Sequence, residues 1–81
     1  MFFLYILQSK TDGSYYIGSC ENITTRLLLH NQGKVRSTKR GSPWMLVYQE
    51  SFTTRSEAYA REQQIKSWKK RAAIEKLIKH F

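Results

Sequence analysis

An apolar run at the start of the chain constrains its fold more than any other feature. Residues 2–7 are continuously apolar or aromatic, the turn-forming residues 9–14 follow, and residues 15–19 are again strand-like. Aromatic and β-branched residues favour strands, and a Ser/Asp/Gly cluster favours a turn. The pattern predicts an N-terminal β-hairpin, and the run is too short to cross a membrane.

A helix and a loop are predicted to follow the hairpin. Asn22 or Thr24 can cap a helix that ends near Asn31, with Gly33 just beyond it. Residues 34–43 show no apolar period and are predicted to form a basic loop.

The second half of the chain predicts one strand and two helices. Residues 44–52 are strand-like, Thr54 and Glu57 form a capping box for a helix of about fifteen residues, and residues 72–80 carry apolar side chains at helical spacing. The order β-β-α-β-α-α predicts a single α+β domain over residues 1–81. Its core is a three-stranded antiparallel sheet flanked by helices, and the strand order stays open.

The charge of the chain indicates an anionic partner. Lys and Arg number 14 against 6 Asp and Glu, which gives a net charge of +8. Nucleic acid is the commonest partner of such a surface, and a merely solvated basic surface is the alternative. The cations expected to contact phosphates are Lys34, Arg36, Lys39, Arg40, Lys66, Lys69 and Lys70. Trp44 and Trp68 lie near them in the sequence and either stack on bases or belong to the core.

The single cysteine, Cys20, excludes an internal disulfide and a cysteine-rich zinc site. A cytoplasmic protein without a membrane partner or a small-molecule cofactor is therefore expected.

Two tyrosines of the predicted hairpin are candidate functional residues. Any register with the turn near Asp12-Gly13 places Tyr5 and Tyr16 on one face, and a loop of four residues rather than two places Tyr5 opposite Gly18 and diagonal to Tyr16. Gly18 would then leave space above the Tyr5 ring. The alternative is an aromatic pair that only stabilises the hairpin.

Three further polar side chains fall on buried helix faces. Arg26 and His30 lie four residues apart and are aimed at the sheet. Glu62 lies on the inner face of the second long helix, where it either pairs with Lys66 or holds a metal ion. Mg²⁺ often takes a single carboxylate together with water and substrate phosphate.

Taken in order, these residues resemble the GIY-YIG nuclease superfamily, in particular its small stand-alone bacterial members. The second motif is present as Tyr16-Ile17-Gly18, and the first is present in relaxed form as Phe3-Leu4-Tyr5. Residues 26–31 match the Arg-Leu-x-x-His-Asn pattern, and residues 57–62 resemble the helix with the metal-binding glutamate. The resemblance extends from about residue 2 to residue 70.

The resemblance implies hydrolysis of DNA phosphodiesters with one divalent ion, Mg²⁺ or Mn²⁺, held by Glu62. Tyr5 would act as general base or water-positioning group with help from His30, and this role needs nearby cations to favour the phenolate. Tyr16 would position the water, and Arg26 would stabilise charge on the phosphorus. All five side chains should then converge in one cleft on one sheet face.

Recognition of DNA structure rather than DNA sequence is expected, because so small a domain has little surface for base readout. A partner subunit could supply the targeting instead. The alternative functions are a catalytically silent nucleic-acid-binding module and a protein-interaction role.

Overall fold

The computed structural model describes residues 1–79 and contains three strands and three α-helices in the predicted α+β order. Their bounds are β1 Phe2–Ser9, β2 Tyr15–Cys20, α1 Ile23–Asn31, β3 Trp44–Phe52, α2 Arg55–Ser67 and α3 Arg71–Lys79. Residue 80, where the last helix was expected to end, lies outside the described residues.

β1 is the central strand of the sheet, which has the order β2-β1-β3 with both pairs antiparallel. Helices cover both faces of this strand. Residues 4–7 are therefore all buried, which explains why the run is apolar throughout instead of alternating.

The two faces of the sheet pack against different helices. On the α2 face, Leu4, Ile6 and Ile17 form a cluster with Ile65 of α2, and apolar residues of α3 complete it. On the α1 face, Tyr5, Leu7 and Trp44 form a second cluster with apolar residues of α1.

Polar caps define the starts of α1 and α2, as the sequence predicts. The Asn22 side chain accepts a hydrogen bond from the backbone N–H of Thr25 at the start of α1. Thr54 and Glu57 form the complete capping box of α2, although this helix has 13 residues rather than about fifteen. Lys69, with a φ of 54°, separates α2 from α3.

The expected basic loop over residues 34–43 is the main correction to the predicted secondary structure. Residues Arg36–Gly41 form a 3₁₀ helix, called here the 3₁₀ segment. The segment contains no apolar stripe, because its anchor is the buried Thr38, whose N–H donates to the Val35 carbonyl. Polar anchoring of this kind leaves no periodic signal in the sequence.

No helix in the described part of the chain is long and apolar enough to cross a membrane.

Candidate functional site

The hairpin has the four-residue loop, which was one of the two predicted alternatives. The Ser9 N–H donates to the Ser14 carbonyl at 2.8 Å, and Gly13 takes a left-handed conformation in the turn. Tyr5 lies opposite Gly18, and the rings of Tyr5 and Tyr16 are 6.3 Å apart.

Gly18 makes room for the phenol of Tyr5. A Cβ atom at position 18 would lie 2.6 Å from the Tyr5 hydroxyl and 2.7 Å from its Cζ. Such distances are far inside van der Waals contact, so a larger residue would displace the phenol. The predicted space above Tyr5 is therefore used by the tyrosine itself.

His30 is buried at the end of α1 and contacts both tyrosines. Its Nε2 lies 3.0 Å from the Tyr5 hydroxyl, and its ring centroid lies 4.9 Å from that of Tyr16. The other ring nitrogen, Nδ1, lies 2.7 Å from the hydroxyl of Thr38. A buried chain of hydrogen bonds thus runs from the hairpin through α1 to the 3₁₀ segment.

Thr38 is a site residue that sequence reasoning missed. It is the one residue of the Arg36–Lys39 stretch that is buried, and its neighbours in that stretch are exposed. Nothing in its immediate sequence distinguishes it from Ser37, because the contact with His30 depends on how the 3₁₀ segment folds over α1.

Burial and a nearby cation act in opposite directions on the Tyr5 phenol. Burial raises the pKa of Tyr5 to about 12, while the nearby Arg26 guanidinium has a smaller, lowering effect. The cation that the predicted phenolate required is therefore present, but burial outweighs it. Tyr5 keeps its proton at neutral pH and is available as a hydrogen-bond donor.

His30 is a neutral imidazole for related reasons. Burial lowers the pKa of His30 below its usual 6.5, and repulsion from Arg26 lowers it further. A neutral imidazole has one acceptor nitrogen, so the Tyr5–His30 pair contains both a proton donor and a proton acceptor.

Glu62 lies on the inner face of α2, as predicted, but not on the same sheet face as the tyrosines. The Ser19 hydroxyl donates to one of its oxygens at 2.7 Å, and successive β2 residues point to opposite faces. Ser19 therefore lies on the α2 face, while Gly18 lies against Tyr5 on the α1 face. The expectation that all five side chains share one face is wrong, because α2 packs on the side of the sheet opposite α1.

A pocket at the end of β2 brings groups from both faces near each other. It has a volume of about 340 Å³ and is lined by Ser19 and Asn22 together with Arg26 and Arg55. Ser19 is the hydrogen-bond partner of Glu62, and Arg26 acts on Tyr5. The two halves of the candidate site therefore meet at this edge of the sheet.

Arg55 is a second residue of this pocket that sequence reasoning did not single out. It lies 4.9 Å over the Phe2 ring and 3.9 Å from the Glu21 carboxylate. Since it is mostly exposed, the guanidinium remains accessible to a phosphate.

Among the described residues, Glu62 is not part of a multi-ligand metal centre. Within residues 1–79 no group of three or more His, Cys, Asp or Glu side chains could hold a metal. Glu62 is nearly buried, and its second oxygen lies 2.6 Å from the Lys66 ammonium. The predicted pairing with Lys66 is thus present. A cation already lies against the carboxylate, and hydroxyl and carboxylate oxygens are ligands that Mg²⁺ accepts.

The predicted phosphate-contacting cations lie in two exposed groups. Lys34, Arg36, Lys39 and Arg40 flank Thr38 in the sequence, and Lys66, Lys69 and Lys70 lie at the end of α2 or just beyond it. Trp44 is buried and its indole N–H donates to the Thr38 carbonyl, so it belongs to the core. Trp68 is partly buried against the α2-face cluster.

Comparison with known proteins gives the same class as the motifs and the fold. The family model described as the GIY-YIG catalytic domain matches residues 1–77. The chain therefore belongs to the GIY-YIG family, the catalytic domains of nucleases.

Within this family the chain is similar to small bacterial proteins named UPF0213. A UPF0213 protein of Staphylococcus epidermidis is 45% identical over 67 residues, which cover 82% of this chain and 80% of the relative. One of Staphylococcus saprophyticus is 43% identical and covers 94% and 92%. The solution NMR structure of a UPF0213 protein from Bacillus halodurans has a TM-score of 0.61 at 32% identity, with coverage of 98% and 84%.

Proposed function

We propose that this protein is a metal-dependent endonuclease that hydrolyses DNA phosphodiesters and selects its substrate by structure. The observation that carries the proposal is the buried hydrogen bond between Tyr5 and the neutral His30. Beside it, Arg26 both acts on Tyr5 and lines the pocket.

The proton of the attacking water has a path through these two residues. Tyr5 is protonated, and its hydroxyl lies 3.0 Å from His30 Nε2, to which it would donate. When Tyr5 takes the proton of the water, its own proton passes to His30, which becomes an imidazolium. His30 is therefore the final proton acceptor, and Tyr5 does not have to ionise beforehand.

Tyr16 and Arg26 are the members of the cluster that reach solvent. Tyr5 and His30 are buried, whereas Tyr16 is half-buried and Arg26 is exposed. Contact with the scissile phosphate thus falls to Tyr16 and Arg26, and the attacking water would have to lie beside Tyr16, where it also meets the Tyr5 hydroxyl. The guanidinium offers the planar, charged donors that stabilise charge on a pentacovalent phosphorus.

Glu62, with Ser19 beside it, would hold the divalent ion, and this requires the Lys66 ammonium to move aside. When bound, the ion would supply Lewis-acid stabilisation of the leaving oxygen. The half-exposed Lys66 side chain is long and flexible enough to move away from the carboxylate.

The exposed cations around Thr38 and at the end of α2 would hold the DNA backbone. Phosphate contacts of this kind carry no sequence information. Because these contacts do not read the sequence, the protein would recognise a nick, flap or junction by its shape, or a partner subunit would supply the targeting.

Cleavage of labelled single strands, nicked duplexes, flaps and junctions in Mg²⁺ or Mn²⁺ tests the proposal. Arg26→Lys keeps the charge but loses the planar fork, and we expect it to lower cleavage about 100-fold or more. Glu62→Gln should abolish the dependence on metal together with most cleavage. Glu75→Gln removes a carboxylate that pairs with Arg71 on α3 and serves as the matched control with full activity.

A catalytically silent nucleic-acid-binding module is the second candidate. It is favoured by the Glu62 carboxylate, which is already bonded to Ser19 and Lys66. Salt-sensitive DNA binding that ignores Mg²⁺, without cleavage of any substrate in the panel, would replace the nuclease proposal by this one.

A further inference from the structure

The 3₁₀ segment places a hydroxyl against the side of His30 that faces away from Tyr5. The Thr38 Oγ1 lies 2.7 Å from His30 Nδ1 and 3.2 Å from the Val35 carbonyl oxygen. Thr38 and His30 are both fully buried or nearly so. Solvent is therefore not the partner of these atoms, and their hydrogen bonds have to be satisfied among themselves.

The number of protons on these groups determines which of them donate and which accept in the hydrogen bonds from Tyr5 through His30 to Thr38. A carbonyl oxygen only accepts, so the two contacts of the Thr38 hydroxyl, to Nδ1 and to Val35, are both hydrogen bonds only when its single proton is directed to Val35. Towards His30, Thr38 can then only accept, which requires a proton on Nδ1. The neutral ring has one proton, so Nε2 carries a lone pair and accepts from Tyr5.

We propose that Thr38 is a positioning residue that fixes His30 in the Nδ1–H tautomer and so keeps the Nε2 lone pair aimed at the Tyr5 hydroxyl. The catalytic role of Thr38 rests on the proposed nuclease function, whereas its effect on the tautomer of His30 does not. In the opposite tautomer, Nε2–H would donate to Tyr5, and the path for the proton of the water would be blocked.

Two backbone contacts hold Thr38 in place for this role. The indole N–H of Trp44 donates to the Thr38 carbonyl at 2.8 Å, and the Thr38 N–H donates to the Val35 carbonyl at 3.1 Å. Asn31, the neighbour of His30, in turn exchanges two hydrogen bonds with the backbone of Trp44. The hydroxyl is thus fixed relative to the ring by the same residues that join α1 to β3.

The groups that face His30 do not impose this tautomer by themselves. Tyr5 and Tyr16 are phenols that can donate or accept, and Arg26 is a cation whose charge acts on either tautomer. Thr38 is the partner within hydrogen-bond distance of Nδ1. Removal of the Thr38 hydroxyl should therefore remove the preference of His30 for the Nδ1–H tautomer.

The ¹⁵N chemical shifts of the His30 imidazole at neutral pH test the inference directly. We expect the wild type and Thr38→Ser to show a protonated Nδ1 and an unprotonated Nε2. Thr38→Val, which keeps the shape and loses the hydroxyl, should show a shift of population to Nε2–H. A wild-type ring protonated on Nε2 overturns the proposal without any variant, and so does a Thr38→Val ring that stays protonated on Nδ1.

Kinetics on a cleaved substrate give the second readout. Thr38→Val should lower kcat about 10- to 100-fold, as is usual for a group that orients a functional histidine, with KM unchanged. Thr38→Ser should restore kcat. Equal values of kcat in wild type and Thr38→Val would overturn the role in catalysis. If the wild type cuts nothing, the proposed function fails while the NMR result still decides the tautomer.

Discussion

The neutral state of His30 makes the stability of the fold depend on pH. Its pKa is lowered in the folded protein, so the unfolded chain binds a proton below about pH 6.5 that the folded chain does not bind. The contribution of His30 to the free energy of unfolding should therefore be level above pH 7 and fall as the pH drops below 6.5. Urea unfolding between pH 7 and pH 5 measures this slope.

His30→Gln is the variant that isolates the contribution of the imidazole to this slope. Glutamine retains an acceptor and donors but does not titrate, so the loss of stability between pH 7 and pH 5 should be smaller than in the wild type. The lowered pKa values of Asp12 and Glu50 act at lower pH, near and below their ordinary values of 3.8 and 4.5. A slope that is the same in both proteins would contradict a neutral His30.

At the scale of single elements, α2 depends on its capping box. The Thr54 hydroxyl accepts from the Glu57 N–H, and the Glu57 carboxylate accepts from the Thr54 N–H. Thr54→Ala should lower the free energy of unfolding by about 1 kcal/mol. The neighbouring Thr53→Ala removes an exposed threonine outside the helix and should stay within about 0.5 kcal/mol of wild type.

Urea unfolding of both threonine variants, with the wild type as reference, provides this comparison. Equal losses in Thr53→Ala and Thr54→Ala would mean that the capping box contributes nothing specific to α2.

The same element marks the limit of what the sequence could predict about the site. Helical spacing places Glu62 on the inner side of α2, and that prediction is confirmed by its burial. Spacing does not determine the face of the sheet on which a helix packs, so the expectation of one shared sheet face was wrong. Thr38 was beyond sequence reasoning for a similar reason, since its partner His30 belongs to another element.

At the scale of the whole molecule, the sequence of helices and strands along the chain and the α+β class were predictable, but the order of the strands in the sheet was not. Turn residues and caps have local signals, which is why the α+β order agrees with the structure. The strand order β2-β1-β3 depends on which edge of the hairpin β3 pairs with. The apolar run in β1 is consistent with a central strand, yet it does not exclude an edge strand that is covered by helices.

The net charge of +8 belongs to the molecule as a whole, and its use can be assigned by salt dependence. A plot of the logarithm of the DNA-binding constant against the logarithm of the salt concentration has a negative slope. This slope should become shallower by about 0.9 for each cation removed from a phosphate contact. Lys39→Gln with Arg40→Gln should reduce the slope accordingly. Lys76→Gln with Lys79→Gln on α3 removes the same charge away from the 3₁₀ segment and should change it less.

Fluorescence-detected DNA binding over a series of salt concentrations measures these slopes. Identical slopes in the two double variants would show that net charge alone, and not the 3₁₀ segment, attracts the DNA.

The two tryptophans of the chain lie on opposite sides of the sheet. Trp44 packs on the α1 face, with its ring 6.3 Å from that of Tyr16, whereas Trp68 packs on the α2 face. Trp68→Phe would therefore leave a single indole beside the tyrosine that is expected to meet the substrate. In such a protein the intrinsic emission spectrum comes from the neighbourhood of the site, and ligands could be screened without attaching a dye.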